Sequence, residues 1–333
     1  MSIITIIGAG SWGTALAQLL DDNKHTVKLY DISEERIKEI NEQHTNELYL
    51  PGVELSASIR GYTDLKEALT DSEMVLTVVP TKVIRQSLKA INEVLSHPVI
   101  FVNASKGIEP NTYKRVSEIV EEEIDPDKRL GFVALTGPSH AEEVIEKHLT
   151  SVTAASNDLE LAKKVQTTFN NEEYFRVYTV HDLIGAEIGG SLKNIIALAA
   201  GIIAGLGYGD NTRAALITRG LAEMRRLAVA MGAKEETLFG LAGIGDLVVT
   251  ATSQHSRNFQ AGYRIGSGSN LKETLSEMTM VVEGVRSCEA AYQYAKEHGI
   301  EMPITFAVYD VIFHQIEPRE VIRKLMLRDL KEE

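Results

Sequence analysis

The first half of the chain alternates two hydrophobic rhythms. Short β-branched runs at Ile3–Ile7, Thr26–Tyr30, Met74–Val79, Val99–Asn103, Phe132–Leu135, Thr150–Ala155 and Phe175–Tyr178 read as strands. Between several of them, apolar residues recur at helical spacing over Thr14–Leu20, Glu34–Asn41, Ile84–Leu95 and Asn111–Glu123. This alternation predicts a mostly parallel sheet covered on both faces, because parallel neighbours need a crossover, usually a helix. Near Leu183 the β-branched runs nearly vanish. Helical spacing then dominates: Ala186–Leu206, Thr212–Met231, Glu235–Leu241, Ser256–Ile265, Lys272–Met278, Val285–His298 and Ile304–Phe313. The pattern therefore predicts an α/β domain over residues 1–184 and a helical domain over 185–333. The fold class expected is α/β, an N-terminal Rossmann-type doubly wound parallel sheet followed by an all-α domain. The charged stretch Glu118–Arg129 reads as a solvated helix end and loop.

Composition narrows the function. A length of 333 residues suits two domains, each with its own core. The net charge of −13 disfavours coating of nucleic acid or an anionic membrane, so any phosphorylated ligand must be held by a few local cations and backbone N–H groups. One cysteine, Cys288, excludes an internal disulfide and fits a reducing, cytoplasmic setting. The N-terminal Met1–Ile7 run lacks a basic region and reads as a strand rather than a signal peptide. The longest apolar stretch, Ile195–Leu206, is twelve residues, and a bilayer span needs about 20. No His/Cys/Asp spacing suggests a metal site.

The first motif with chemistry is Gly8-Ala9-Gly10-Ser11-Trp12-Gly13, which follows a strand and opens a helix. Gly8 permits the tight turn, Gly10 admits a pyrophosphate against the backbone, and Gly13 lets helix and strand pack closely. The helix N-terminus then offers its N–H groups to phosphate. Asp31 ends the second strand, eighteen residues beyond Gly13. An acid there accepts from the adenine-ribose hydroxyls and repels a 2′-phosphate, which favours NADH over NADPH. Arg36 lies about one helical turn further on.

A dehydrogenase also needs a proton donor beside the carbonyl that takes the hydride. Lys193 is the one cation in the apolar, glycine-bearing segment Ala186–Leu206, and desolvation there would lower its pKa; a snorkelling lysine is the plainer alternative. Lys106 and the Gly137-Pro138-Ser139-His140-Ala141 run each follow a strand, at the edge where open α/β sheets bind ligands. Asp246 sits in Gly243-Ile244-Gly245-Asp246-Leu247, and Ser256-Arg257-Asn258 joins an arginine to an amide, which suits a phosphate. His140 and His255 read as surface or supporting groups.

Taken in order, these motifs resemble bacterial NAD(P)-dependent glycerol-3-phosphate dehydrogenases, which interconvert dihydroxyacetone phosphate and sn-glycerol 3-phosphate. The resemblance runs from Gly8 to about Met302. It rests on residues 8–17, Ala-Ser-Lys-Gly-Ile-Glu at 104–109, Gly-Pro-Ser-His-Ala at 137–141 and Gly-Gly-Ser-Leu-Lys-Asn at 189–194. It continues through Gly-Tyr-Gly-Asp-Asn-Thr at 207–212, Leu-Ala-Gly-Ile-Gly-Asp-Leu at 241–247, Ser-Arg-Asn at 256–258 and Val-Val-Glu-Gly at 281–284.

The resemblance implies roles. Lys193 would be the catalytic proton donor and acceptor. Lys106, Gly137, Ser139, Lys193, Asp246, Ser256, Arg257 and Asn258 would contact substrate, with Arg257 and Asn258 on its phosphate. Besides Gly8, Gly10, Gly13 and Asp31, the cofactor would meet Ser11, Trp12, Tyr49, Lys106, Ala141, Arg257, Val281 and Glu283. Asn194 and Thr250 would support Lys193 and Asp246. The product would feed phospholipid synthesis. Many family members carry a basic residue or a His-Arg pair just after the second strand, suited to NADPH. Here the segment reads Tyr30-Asp31-Ile32-Ser33, and Asp31 favours NADH. Two alternatives stay open: another two-domain reductase acting on hydroxy acids or acyl thioesters, and a non-catalytic NAD(H)-binding regulator. The sequence leaves oligomeric state open; a homodimer is compatible with it.

Overall fold

The computed structural model describes residues 1–278, 281–330 and 332. By internal contacts the chain forms two compact units, one of residues 1–106 and 114–186, the other of 107–113 and 187–333.

The first unit is built on an eight-stranded sheet in the order β3-β2-β1-β4-β5-β6-β7-β8. Its elements are β1 (Ile3–Ile7), α1 (Ser11–Asp22), β2 (Thr26–Tyr30), α2 (Glu34–Gln43), β3 (Arg60–Tyr62), α3 (Leu65–Leu69), β4 (Met74–Thr77), α4 (Thr81–Val94), β5 (Val99–Asn103), α5 (Val116–Glu123), β6 (Arg129–Thr136), α6 (Ala141–Ile145), β7 (Thr150–Ala155), α7 (Leu159–Phe169) and β8 (Phe175–Val180). The first six strands follow the doubly wound order and pair in parallel; β6 and β7 pair antiparallel, and β7 and β8 in parallel again. Strands β1, β4 and β5 are apolar on both faces because both are covered. Ile4, Ile6, Leu76 and Val102 join one buried cluster; Ile7, Val75, Phe101 and Leu88 join the other.

Several segments differ from the sequence reading. β3 has three residues and α3 five, too few to show a period. The helix expected from Asn111 begins only at Val116, because Asn111 and Tyr113 hold left-handed φ angles of 69° and 58°, which a right-handed helix cannot contain. α7 was not anticipated.

The second unit is helical among its described residues. α8 (Leu183–Gly205) leads into it, followed by α9 (Asp210–Ala230), α10 (Asp246–Thr252), α11 (Arg257–Gly266), α12 (Leu271–Glu277), α13 (Glu283–Glu297), α14 (Pro303–Phe313) and α15 (Pro318–Met326). The expected helix over Glu235–Leu241 is instead a 3₁₀ turn, Glu235–Phe239, running into a π-helical turn, Leu241–Gly245. α8 is also longer than its apolar stretch implied. At 23 residues it is long and apolar enough to cross a membrane, yet 89% of its most apolar window is buried inside the protein. It is the core helix of this unit, with Leu192, Ile195, Ile196 and Leu198 enclosed.

Glycines fix how α8 meets α11. A Cβ on Gly201 would fall 2.0 Å from the Phe259 carbonyl oxygen, and one on Gly262 would fall 2.0 Å from that of Leu198. The two helices therefore pack backbone against backbone, and α11 is docked on the helix that carries Lys193.

Candidate active site

In the first unit, the carboxyl edge of the sheet collects three of the sequence-derived groups. β1 ends at Gly8, whose φ is +112°, a value that L side chains rarely adopt. Gly13 lies so close that a Cβ would sit 1.9 Å from the Gly8 carbonyl oxygen. Gly10, by contrast, faces open space. It also caps α1 and, having no side chain, brings no acceptor of its own to the first N–H groups of this helix. A turn that is tight at Gly8 and Gly13 and open at Gly10 fits the pyrophosphate of a dinucleotide. Asn46, which sequence reasoning missed, braces this turn. It is buried and donates to the Ala9 carbonyl at 2.9 Å and to Thr14 Oγ1 at 2.8 Å. Nothing marks it in sequence, because it lies in an irregular segment without periodicity.

Around the turn, Ser11 Oγ donates to the Tyr49 carbonyl at 3.1 Å. The Trp12 ring is partly buried against the core and tilted against Phe175, with centroids 6.5 Å apart. Asp31 is buried. Its Oδ2 accepts from Ala9 N–H at 2.9 Å, and its Oδ1 accepts from Ser33 N–H at 3.0 Å and from Arg36 Nη1 at 2.6 Å. The NADH preference read from sequence assumed a bare carboxylate; the structure shows a paired one.

Further along the same edge, Lys106 follows β5 and donates to the Gly137 carbonyl at 3.0 Å. Ser139 Oγ donates to the same oxygen at 3.1 Å. Gly137 has φ +140°, and a Cβ there would meet the Val152 backbone at 3.0 Å. The loop after β6 thus hugs β7 and turns Ser139 back toward Lys106. Ala141 opens the five-residue α6.

In the second unit, Lys193 projects from α8 and is only 6% exposed. Its ammonium bonds the carboxylate of Asp246, which is completely buried, and donates to Thr250 Oγ1 at 2.7 Å. Thr250 Oγ1 in turn donates to the Asp246 carbonyl one turn earlier, at 2.6 Å. The sequence builds this triad locally. Glycines at 189 and 243 let the π-turn close: a Cβ at 189 would fall 2.6 Å from the Ala242 carbonyl oxygen, and one at 243 would fall 2.1 Å from that of Leu238. The turn delivers Asp246 to the start of α10, four residues before Thr250. Removing two charges from water is costly, so such a pair is a weak source of stability and a candidate for chemistry.

Ser256 caps α11, accepting from Phe259 N–H at 3.2 Å. Arg257 takes the first helical position, is exposed, and has no ion pair or hydrogen-bonded side-chain partner among the described residues. An arginine beside a helix N-terminus suits a phosphate. Asn258 is placed differently from a simple ligand contact. Its amide donates to Asn194 Oδ1 at 2.9 Å and accepts from Gly284 N–H at 2.8 Å. Its side chain therefore ties α11 both to the residue after Lys193 and to the start of α13, where Glu283 is the first residue. Val281 is exposed just ahead of it.

A second buried acid was also missed. Glu223 on α9 accepts from Ile304 N–H at 2.5 Å, Thr305 N–H at 3.1 Å and Thr305 Oγ1 at 3.1 Å, so it caps α14 from a neighbouring helix. Burial pushes its carboxyl up to about 7, against the opposing pull of these donors. Cys288 is buried beside the same turn, its thiol on the Thr305 carbonyl, and burial raises its pKa.

A model of the NAD-dependent glycerol-3-phosphate dehydrogenase N-terminus matches residues 3–184, and one of the corresponding C-terminus matches 182–323. The glycerol-3-phosphate dehydrogenase [NAD(P)+] of Geobacillus kaustophilus is 56% identical over 333 residues, covering 100% of this chain and 96% of the relative. That of Geobacillus thermodenitrificans is 55% identical, covering 100% and 97%. The crystal structure of glycerol-3-phosphate dehydrogenase from Coxiella burnetii superposes with a TM-score of 0.93 at 36% identity, covering 98% of this chain and 99% of that one. The chain belongs to the NAD-dependent glycerol-3-phosphate dehydrogenase family.

Proposed function

We propose that this NAD(P)-dependent oxidoreductase reduces the C2 carbonyl of dihydroxyacetone phosphate to give sn-glycerol 3-phosphate, with Lys193 as the proton donor. The observation that carries the reading is the buried Lys193–Asp246–Thr250 triad. The dinucleotide, held at Gly8, Gly10, Ser11, Trp12, Gly13 and Tyr49, supplies the hydride when bound. The Lys193 ammonium gives a proton to the developing C2 alkoxide, and its positive charge stabilises that oxygen before transfer. Asp246 and Thr250 hold the ammonium in one orientation, so that little reorganisation is needed at the moment of reaction. Arg257 and the N-terminus of α11 bind the phosphate, and this remote binding fixes the near-attack geometry. Asn258 orients Arg257 through its bonds to Asn194 and Gly284. Lys106, Gly137, Ser139 and Ser256 contribute further substrate contacts. Ala141, Val281, Glu283 and the side chains of Lys106 and Arg257 contribute to the dinucleotide site.

The triose phosphate and the dinucleotide are soluble metabolites, so we place the reaction in the cytoplasm, where its product supplies phospholipid synthesis. A homodimer belongs to the same reading, and sedimentation velocity on the full chain tests it. Replacing Lys193 with Ala is expected to lower kcat by roughly 10²–10⁴-fold, the usual worth of general acid catalysis. It also leaves Asp246 buried without its cation, which costs about 3–5 kcal/mol. Dinucleotide binding, followed by Trp12 fluorescence, should therefore be measured on the same sample. A Lys193→Ala protein with wild-type kcat would overturn the assignment. Equal turnover of unphosphorylated ketones would favour a reductase of another specificity.

A further inference from the structure

β5 is apolar until its last residue. Val99, Ile100, Phe101 and Val102 are buried hydrophobic side chains, and Asn103, only 2% exposed, then puts an amide at the buried end of the strand. Burying an amide costs free energy unless it is hydrogen-bonded, and this one is. Its Oδ1 accepts from Thr77 Oγ1 at 2.9 Å, directly opposite on β4, and from Ser105 N–H at 3.1 Å. Its Nδ2 donates to the Ser105 carbonyl at 2.8 Å. An amide side chain offers about four hydrogen-bond positions, and most of these are filled.

The amide grips a single residue beyond the strand. Ser105 has both its N–H and its carbonyl held by Asn103, past the last strand residue. The Ser105 hydroxyl then donates to the Val79 carbonyl at 2.6 Å, just after β4 ends. The chain therefore leaves β5 in one direction, and the next residue is Lys106, whose ammonium reaches the Gly137 carbonyl at 3.0 Å. The same exit from β4 backs the glycine turn. A Cβ on Gly8 would meet the Val78 carbonyl oxygen and Val79 Cγ1 at 3.0 Å each. One short stretch of backbone, residues 78 and 79, is thus the common support of the glycine turn and of the loop that carries Lys106. An apolar side chain at 103 would continue the buried strand, but it would leave the Ser105 N–H and carbonyl without these partners.

We propose that Asn103 is a positioning residue for the reduction: through Ser105 it fixes the backbone from which Lys106 reaches the substrate, and so keeps that lysine at a set distance from the glycine turn. The proposal rests on the reading that Lys106 contacts the triose phosphate. A lysine ammonium sits on a long, flexible stem, so its placement depends on how firmly its own backbone is held. A misplacement of about 1 Å around a reacting substrate costs on the order of 10²-fold in rate.

The test is a double-mutant cycle on the full chain, read as kcat/KM for dihydroxyacetone phosphate at saturating reduced dinucleotide. Lys106→Met should lower kcat/KM by roughly tenfold or more, the worth of a hydrogen bond to a charged group. Asn103→Ala should lower it by about tenfold as well, chiefly through KM. Asn103→Ser keeps a hydroxyl that accepts from the N–H two residues on, so it should fall between wild type and Asn103→Ala. Asn103→Ala combined with Lys106→Met should be no worse than Lys106→Met alone, because position 103 acts through position 106; a purely structural loss would multiply instead. A thermal melt of each variant reports folding, and if Asn103→Ala does not fold, Asn103→Ser and its double with Lys106→Met give the same comparison. Wild-type kcat/KM in the folded Asn103 variant, or a multiplicative double variant, would overturn the proposal while leaving Lys106 in place. Wild-type kcat/KM in Lys106→Met, or no turnover of dihydroxyacetone phosphate by wild type, would overturn the underlying reading, and the proposal with it.

Discussion

At the scale of single residues, the costly buried charges are either paired with each other or spent on capping a helix. Lys193 and Asp246 are buried together, and each makes the other tolerable. Glu223 is the other case, and it carries a pH signature. Burial raises its pKa from the ordinary 4.5 to about 7, so the folded protein keeps this proton to higher pH than the unfolded chain does. The stability it contributes is present in full below about pH 4.5 and is lost as pH rises toward about 7. The loss is at most on the order of 3 kcal/mol. Replacing Glu223 with Gln should flatten the dependence of the urea midpoint on pH across that window, even though one N–H of α14 loses its acceptor. A variant that keeps the wild-type slope would show that another group titrates there. Sequence alone pointed to Lys193, an isolated cation in an apolar helix, and could not point to Glu223, whose partners are backbone N–H groups some eighty residues away.

At the scale of elements, periodicity revealed what was long and backbone geometry hid the rest. β1, β4 and β5 were legible because burial on both faces makes them nearly continuous apolar runs, and β2 because its buried Val27 and Leu29 alternate with less buried residues. β3 and α3 were not, being too short to show a period. The π-turn before Asp246 went unread, because the expected helix stopped at Leu241 and glycines at 243 and 245 carry no periodic signal. The glycines of α8 and α11 carry no periodic signal either, and in the structure they form the contact itself. Gly262→Ala should therefore destabilise the protein. In a solvated helix the same change would stabilise it by roughly 0.5–1 kcal/mol. Here the new methyl meets the Leu198 carbonyl at 2.0 Å, and overpacking of this kind costs about 1–3 kcal/mol or more. A thermal midpoint that stays level or rises would mean that the two helices do not touch backbone to backbone.

At the scale of the whole molecule, the chain is an NAD(P)-dependent oxidoreductase, and its two units hold different groups of the proposed site. The first supplies the glycine turn and the Asp31–Arg36 pair; the second supplies a buried lysine and an exposed arginine on adjoining helices. The doubly wound sheet was legible from strand–helix alternation, and so was the change to helices near Leu183. The segment 107–113 was not separable in sequence from the first unit, because its grouping with the second depends on contacts rather than on composition.

The most direct measurement is a steady-state assay in which dihydroxyacetone phosphate is added to the purified chain with NADH or NADPH, and loss of reduced nicotinamide is followed by its near-ultraviolet absorbance. The account predicts saturable oxidation of the dinucleotide with stoichiometric formation of sn-glycerol 3-phosphate. Stoichiometric dinucleotide binding with no absorbance change on adding the triose phosphate would contradict it.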